Sequence, residues 1–476
     1  MTGNTSSPRV VVIGGGPGGY AAAFRAADAG MTVTMVDREA ALGGVCLHAG
    51  CIPSKTLLHI ASLLNEAEEA SAWGIDFGTP TLDLDKLRNW KDRVISKMTG
   101  GLEMLARTRN VHFVQGNASF ESTNSLRIES AGNSTSESIG FDYAVIATGS
   151  RPAAPPGFQV DGDRVLDSTA ALNITDIPSS MLVIGGGYIG LELGTVYAAL
   201  GSRITMVEME SGLLPGADRD LLAPLQDRLE HTFESILLDT RVDELKASEK
   251  QVMVNLTGPA VEDGTQSFDK VLIAVGRQPN TEDLGLAHAG VETNQQGFIE
   301  IDAQRRTTTP NILAIGDVAG DPMLAHKAAH EAHVAVAAIQ GQPTIYAPHA
   351  VPAVVFTDPE IAWCGLTESE AQRTDTPHTA VCFPWTASGR ATTRGRNDGL
   401  TKLILEPVTE RVLGFGITGA GAGELIAEGV LAVEMGARAE DLRHSIHPHP
   451  TLSETLMEAA DVFFDTSPHF IARPKR

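Results

Sequence analysis

RVVVIGGGPGGYAAAFRAADAGMTVTMVD, residues 9–37, reads as three joined pieces. A β-branched apolar run predicts a buried strand. G-x-G-x-x-G follows at Gly14, Gly16 and Gly19, opening a helix of small residues, and a second strand ends in Asp37. The first glycine permits a tight turn, the second lets a pyrophosphate approach the backbone, and the third lets helix pack on strand. Phosphates then sit on free N–H groups at the positive end of the helix dipole. Asp37 stands where a carboxylate can accept both ribose hydroxyls.

One such pattern is a weak signal, but this chain contains it twice. SMLVIGGGYIGLELGTVYAALGSRITMVE, residues 180–208, carries Gly185, Gly187, Gly190 and Glu208. The acid follows the first glycine by 23 positions in both copies. A second repeat supports the first: FDYAVIATGSRP (141–152) and FDKVLIAVGRQP (268–279) each read as a buried strand closing a dinucleotide domain. TTPNILAIGDVAG (308–320) places Gly316-Asp317 just past a strand end, where α/β folds hold ligands. After about residue 348 the pattern alternates like antiparallel strands, with helical segments following. The expected fold class is α/β, with two Rossmann-like dinucleotide-binding domains and a C-terminal α+β domain.

The chain has 476 residues, enough for several domains, and a net charge of −23. That charge argues against nucleic acid and anionic membranes as partners. The N-terminal MTGNTSSPRV has no apolar core of a signal peptide, and no apolar run approaches the ~18 residues that span a bilayer. The expectation is a cytoplasmic protein, with no membrane partner.

Two of the four cysteines stand in GGVCLHAGCIPSK, residues 43–55. A zinc clip, a structural staple and a redox pair compete for Cys46 and Cys51. Zinc wants four Cys or His ligands, and no second Cys-rich motif completes a tetrahedron. A staple closing so short a loop removes little chain entropy. A redox pair accounts for the neighbours: Gly43 and Gly44 let backbone lie against a flat ring, while a helix start and Lys55 lower a thiol pKa. A regular helix points positions i and i+5 to different sides, so the pair requires a distorted turn. A dithiol beside two dinucleotide sites suggests an electron path from substrate thiols through a protein disulfide and a flavin to a nicotinamide. The longer first domain suits FAD and the shorter second suits the nicotinamide. Glu208, followed by Met209, Glu210 and Ser211 with no arginine, favours NAD over NADP. The expected units are 1–152 (FAD and the dithiol), 153–279 (NAD), 280–347 (completing the FAD site) and 348–476 (dimerisation). HKAAHEAH lines up His326, His330 and His333 on one helix face, but it lacks the H-E-x-x-H order, and no metal is expected.

Over its whole length the chain resembles the flavoprotein pyridine nucleotide–disulfide oxidoreductases. GGVCLHAGCIPSKTLL is similar to the redox segment of the branch that oxidises dihydrolipoyl groups, and IPSK separates it from the VPKK usual in glutathione reductases. HPHPTLSE (447–454) resembles that branch's acid–base motif. The resemblance implies that Cys46 exchanges with substrate sulfur and Cys51 faces the flavin. It implies that His449, oriented by Glu454, moves the proton, with His447 supporting. Lys55 would lie beside the flavin, paired with Glu192. Asp317 would bind the ribityl chain, the Ala325 amide would face the ring, and Ala118 would meet the adenine end. Thr148 and Gly149 join the FAD set, and Val242 and Gly276 the NAD set. It further implies a homodimer, in which the His–Glu pair serves the other subunit's dithiol, and a lipoyl-bearing acyltransferase or carrier protein as partner. His48, Ala118 and Pro448 depart from the residues common at those positions. The rivals are a glutathione- or mercuric-reductase-like enzyme and a flavin-binding subunit with little chemistry. Glu208 speaks against the NADP users, and a tail without cysteine speaks against mercuric reductase.

Overall fold

The computed structural model describes residues 7–130, 136–261 and 264–472. Strand Arg9–Ile13 lies at the heart of a seven-stranded sheet. It pairs in parallel with Thr32–Asp37 on one side and Tyr143–Ile146 on the other. Ile312–Ala314 extends the parallel part beyond Tyr143–Ile146, and His112–Ser122 extends it beyond Thr32–Asp37. Both faces of the first strand are covered, which is why it reads as a continuous apolar run. Val10 and Val12 pack toward Ala22, Ala23, Ala26, Ala332 and Ala335 of helices Pro17–Asp28 and Ala325–Ile339. Val11 and Ile13 face Phe120, Leu126 and Phe141 on the opposite side. Each buried side chain of this kind contributes roughly 1.5–3 kcal/mol.

The fingerprint glycines are needed sterically. Gly14 has φ +106°, and a Cβ there would lie 2.2 Å from the Ala147 carbonyl oxygen. A Cβ on Gly19 would lie 1.8 Å from the Gly14 carbonyl oxygen. The helix therefore starts hard against the strand end.

The second domain repeats the plan with a five-stranded parallel sheet. Its order is Ser235–Leu237, Arg203–Val207, Ser180–Ile184, Lys270–Ile273 and Val165–Leu166. An antiparallel flap of Arg241–Ala247, Val252–Thr257 and Thr265–Phe268 covers it. The chain leaves the first domain through Ser150–Pro152 and returns through Arg277–Pro279, and these two short strands pair antiparallel. Residues 280–347 then rejoin the first sheet through Ile312–Ala314.

The C-terminal region builds an antiparallel sheet ordered Ala353–Val355, Ile361–Gly365, Val412–Thr418, Leu400–Leu405 and Thr379–Pro384. Its core gathers Trp385, Phe383, Leu403, Phe415 and Ile417 under helices Ala422–Glu434 and Glu454–Phe463. Lys402 locks this region to the second domain. Its Nζ lies 3.0 Å from Asp218, 2.7 Å from Asp220 and 2.7 Å from Glu368. Burial disfavours the ammonium, but the three carboxylates outweigh it and hold the Lys402 pKa above its ordinary value.

Candidate active site

A cavity of about 1100 Å³ runs along the C-terminal edge of the first sheet and reaches the second domain. Gly14, Gly16, Asp37, Cys46, Cys51, Lys55, Ala118, Thr148, Gly149, Glu192, Asp317 and Ala325 all line it. Its volume is at the upper end for ligand sites, as a dinucleotide requires. The walls suit one. Gly44 (φ +58°) comes so close to the fingerprint loop that a Cβ there would lie 2.6 Å from Gly16 Cα. Asp37 Oδ2 accepts from Gly15 N at 2.5 Å and Oδ1 from Glu39 N at 2.8 Å, so the carboxylate is held while each oxygen keeps a second lone pair. Ala325 begins a 15-residue helix whose first residue faces the cavity. These residues fit FAD.

The thiol segment is two helices with a break. Gly44–Ala49 carries Cys46, and Cys51–Glu69 starts at the second cysteine. Gly50 separates them with φ −152°, ψ −114°. The break is the distorted turn that an i, i+5 pair needs. Both cysteines are free thiols here, with Cys46 half-buried and Cys51 open to the cavity. They are hydrogen-bonded to each other. The bond from Cys46 lowers Cys51 most; burial opposes, Lys55 assists, and Cys51 settles at about 7. The same bond, with burial, raises Cys46. In the dithiol, Cys46 therefore keeps the proton and Cys51 holds the negative charge.

Lys55 is one helical turn further along. Its Nζ donates to Glu192 Oε1 at 2.9 Å and Oε2 at 2.7 Å. Glu192 comes from the second fingerprint helix, is 3% exposed, and also accepts from Phe356 N at 3.0 Å. Lys55 Nζ sits 4.6 Å from the Phe356 ring centroid. One carboxylate thus joins three regions of the chain beneath the thiols.

The second fingerprint loop copies the first. Glu208 Oε2 accepts from Gly186 N at 2.6 Å and Oε1 from Glu210 N at 2.8 Å. Gly185 has φ +107°, and a Cβ there would lie 2.4 Å from the Ala274 carbonyl oxygen; a Cβ on Gly190 would lie 2.1 Å from the Gly185 carbonyl oxygen. Gly187 caps the helix and Gly276 (φ +128°) turns the chain after the closing strand. Val242 lies on the flap strand, just after Thr240, whose amide bonds the Glu208 carbonyl at 2.9 Å. This loop lies outside the large cavity; Tyr188, Ile189 and Glu192 of its helix reach in.

His449 and Glu454 stand elsewhere. His449 Nδ1 is 2.8 Å from Glu454 Oε1, and Thr451 N donates to Oε2 at 2.7 Å. Burial pushes Glu454 up, but the Thr451 amide and His449 outweigh it, so its pKa falls below the ordinary value. The ring is tethered through Nδ1, leaving Nε2 for a proton in transit. The His449 side chain is 75% exposed, and neither residue lines the thiol cavity. His447 Nε2 is 2.8 Å from Glu428 Oε1, pinning the same loop to helix Ala422–Glu434. His326, His330 and His333 go to separate partners: the Pro352 carbonyl, the Tyr346 ring and Arg25.

Sequence reasoning passed over Ser150, Tyr188, Arg277 and Phe356, which the fold brings to the cavity or to Lys55. Ser150 and Arg277 lay inside quoted motifs but carried no chemistry of their own. Only the pairing of the two domain exits puts them together.

Two dinucleotide folds, a cavity shaped for a flavin and a polarised dithiol on its wall define a flavoprotein oxidoreductase of the disulfide-exchanging class. The pyridine nucleotide-disulphide oxidoreductase model matches residues 8–332, and its dimerisation-domain model matches residues 351–460. The chain belongs to that family, whose cofactors are FAD and a pyridine nucleotide. It is 44% identical to the dihydrolipoyl dehydrogenase of Vibrio parahaemolyticus, covering 96% of this chain and 95% of the relative. It is 42% identical to that of Halobacterium salinarum, covering 98% of each. LpdA from Mycobacterium tuberculosis superposes with a TM-score of 0.88 at 26% identity, covering 95% of this chain and 99% of that one. The HOCl-induced flavoprotein disulfide reductase RclA from Escherichia coli gives 0.84 at 28%, covering 95% and 99%.

Proposed function

We propose that the chain is a dihydrolipoyl dehydrogenase, oxidising protein-bound dihydrolipoyl groups and reducing NAD⁺. The single observation that carries this reading is the polarised Cys46–Cys51 pair on the wall of the flavin-shaped cavity. Full-length similarity to dihydrolipoyl dehydrogenases supports the substrate.

The resting form holds a Cys46–Cys51 disulfide. His449, steadied by Glu454, takes a proton from one substrate thiol. The resulting thiolate attacks Cys46 Sγ, the S–S bond breaks, and Cys51 leaves as thiolate. The second substrate thiol, also losing its proton, attacks the mixed disulfide. The attack falls on the substrate sulfur, so the cyclic substrate disulfide departs; Cys46 leaves and takes the proton that His449 had accepted, and the second thiol's proton passes to solvent. Gly14, Gly16, Asp37, Ala118, Thr148, Gly149, Asp317 and Ala325 would hold FAD, which when bound would supply two-electron transfer from the dithiol to NAD⁺, while Cys46 gives up its proton and the Cys46–Cys51 bond re-forms. Gly185, Gly187, Gly190, Glu208, Val242 and Gly276 hold NAD⁺. Lys55 and Glu192 set the charge beneath the thiols.

His449 lies outside its own chain's thiol cavity, so a second copy supplies it. The dimerisation-domain match supports a homodimer, as do exposed Leu431, Met435 and Ile446 around the His449 loop. The working units are 1–152, 153–279, 280–347 and 348–476. The physiological partner is a lipoyl-bearing acyltransferase or carrier protein of a 2-oxo acid dehydrogenase complex, in the cytoplasm.

The purified protein should reduce NAD⁺ with dihydrolipoamide. His449→Gln should lower that turnover by about 10²–10⁴ while NADH oxidation by dioxygen persists. Turnover of glutathione disulfide with NADPH instead would move the chain to another member of the class.

A further inference from the structure

The cavity wall holds three polar side chains in series that the thiol chemistry does not use. Ser150 opens the strand by which the chain leaves the first domain, and it is 2% exposed. Arg277 opens the returning strand beside it. Arg277 Nε donates to Ser150 Oγ at 2.7 Å, and Nη2 donates to the Ser150 carbonyl oxygen at 2.8 Å. Ser150 Oγ lies 2.5 Å from Asp317 Oδ2.

The direction of this series is not free. A guanidinium only donates and an ionised carboxylate only accepts. The serine hydroxyl has one proton, and with Arg277 occupying an acceptor lobe that proton goes to Asp317. The order is Arg277 to Ser150 to Asp317. A terminal carboxylate torsion is soft, so an Asp at a cavity edge samples many orientations unless something holds it. A hydrogen bond to a charged group is among the stronger ones in a protein.

We propose that Ser150 is a positioning residue for FAD: braced by Arg277 across the junction of the two domains, it holds the Asp317 carboxylate in one orientation before the ligand arrives. Preorganisation of this kind lowers the ordering cost of binding. The inference rests on FAD occupying the cavity.

The test uses holoenzyme diluted into FAD-free buffer, timing the rise of free-flavin fluorescence. Ser150→Ala should release FAD about ten-fold faster or more, the loss of one charge-assisted hydrogen bond. Ser150→Thr keeps the hydroxyl and should restore slow release. Arg277→Met should also release FAD faster. Because Arg277 acts through Ser150, the double variant Ser150→Ala/Arg277→Met should be hardly faster than Ser150→Ala alone. Wild-type release from Ser150→Ala, or independent multiplication of the two effects, overturns the proposal. If Ser150→Ala does not fold, Arg277→Met decides, and unchanged release there overturns the proposal equally. A wild-type protein that purifies without FAD would instead defeat the cofactor assignment itself.

Discussion

At the scale of single residues, the proposed chemistry depends on an unequal division of one proton between two sulfurs. Cys46 donates, Cys51 receives, and Lys55 steadies the charge. Cys51 is an acid with its pKa brought below the ordinary thiol range, so its thiolate is present above about 7 and is lost as pH falls through that value. In two-electron-reduced holoenzyme, the long-wavelength absorbance of a thiolate against the flavin should fall by half near pH 7. Cys51→Ser should abolish the band and Cys46→Ser should keep it; the reverse pattern would exchange the two roles. Lys55→Met leaves Glu192 buried without its cation. Breaking such a pair costs about 3–5 kcal/mol when both partners are buried. Lys55 is 30% exposed, so the lower end or less is expected, read from denaturant unfolding, with Cys51 titrating higher.

At the scale of elements, the dithiol is a product of where two helices stop and start. Gly50 ends one helix and lets Cys51 begin the next. Gly44 allows the segment to lie on the fingerprint loop. Gly44→Ala asks for a Cβ 2.6 Å from Gly16 Cα at positive φ, so the segment must move away from the loop. We expect loss of bound FAD with the fold retained, seen as a colourless protein with unchanged far-ultraviolet circular dichroism. A yellow, fully active Gly44→Ala protein would show that the contact is dispensable.

The doubled glycine pattern was legible in the sequence because each glycine answers to a local steric demand. The same holds for Cys46, Cys51 and Lys55, which lie within ten positions of one another. Glu192, Asp317, His449 and Glu454 stand far from them along the chain, and their roles came through resemblance. Ser150, Arg277 and Phe356 were not legible: a buried serine and an arginine after a strand have many ordinary uses. Their partners arrive only when the chain crosses between domains.

At the scale of the whole molecule, the proposed homodimer makes each chain half of two sites. The thiol cavity lacks His449, and the exposed His449 lacks a thiol. Mixing two inactive variants tests this directly. Cys46→Ser and His449→Gln protomers, unfolded together and refolded, should give heterodimers in which one of the two sites has an intact dithiol and an intact base. Activity should return in the mixture and in neither parent. No recovery, with heterodimers shown by mass, would place both groups in the same chain's site. The net charge of −23 adds that an acyltransferase partner should offer a basic surface, with binding that weakens as salt rises. Among the described residues, no helix is long and apolar enough to cross a membrane.

In the proposed mechanism, substrate sulfurs exchange with Cys46 and Cys51 during turnover. Oxidised holoenzyme is treated with one equivalent of dihydrolipoamide without NAD⁺, quenched with an alkylating reagent, and the peptide containing residues 43–55 is weighed. An unalkylated, disulfide-linked peptide is expected before reduction and alkylated cysteines after it. A peptide unchanged by the substrate, in protein that still reduces NAD⁺ when it is added, would contradict it.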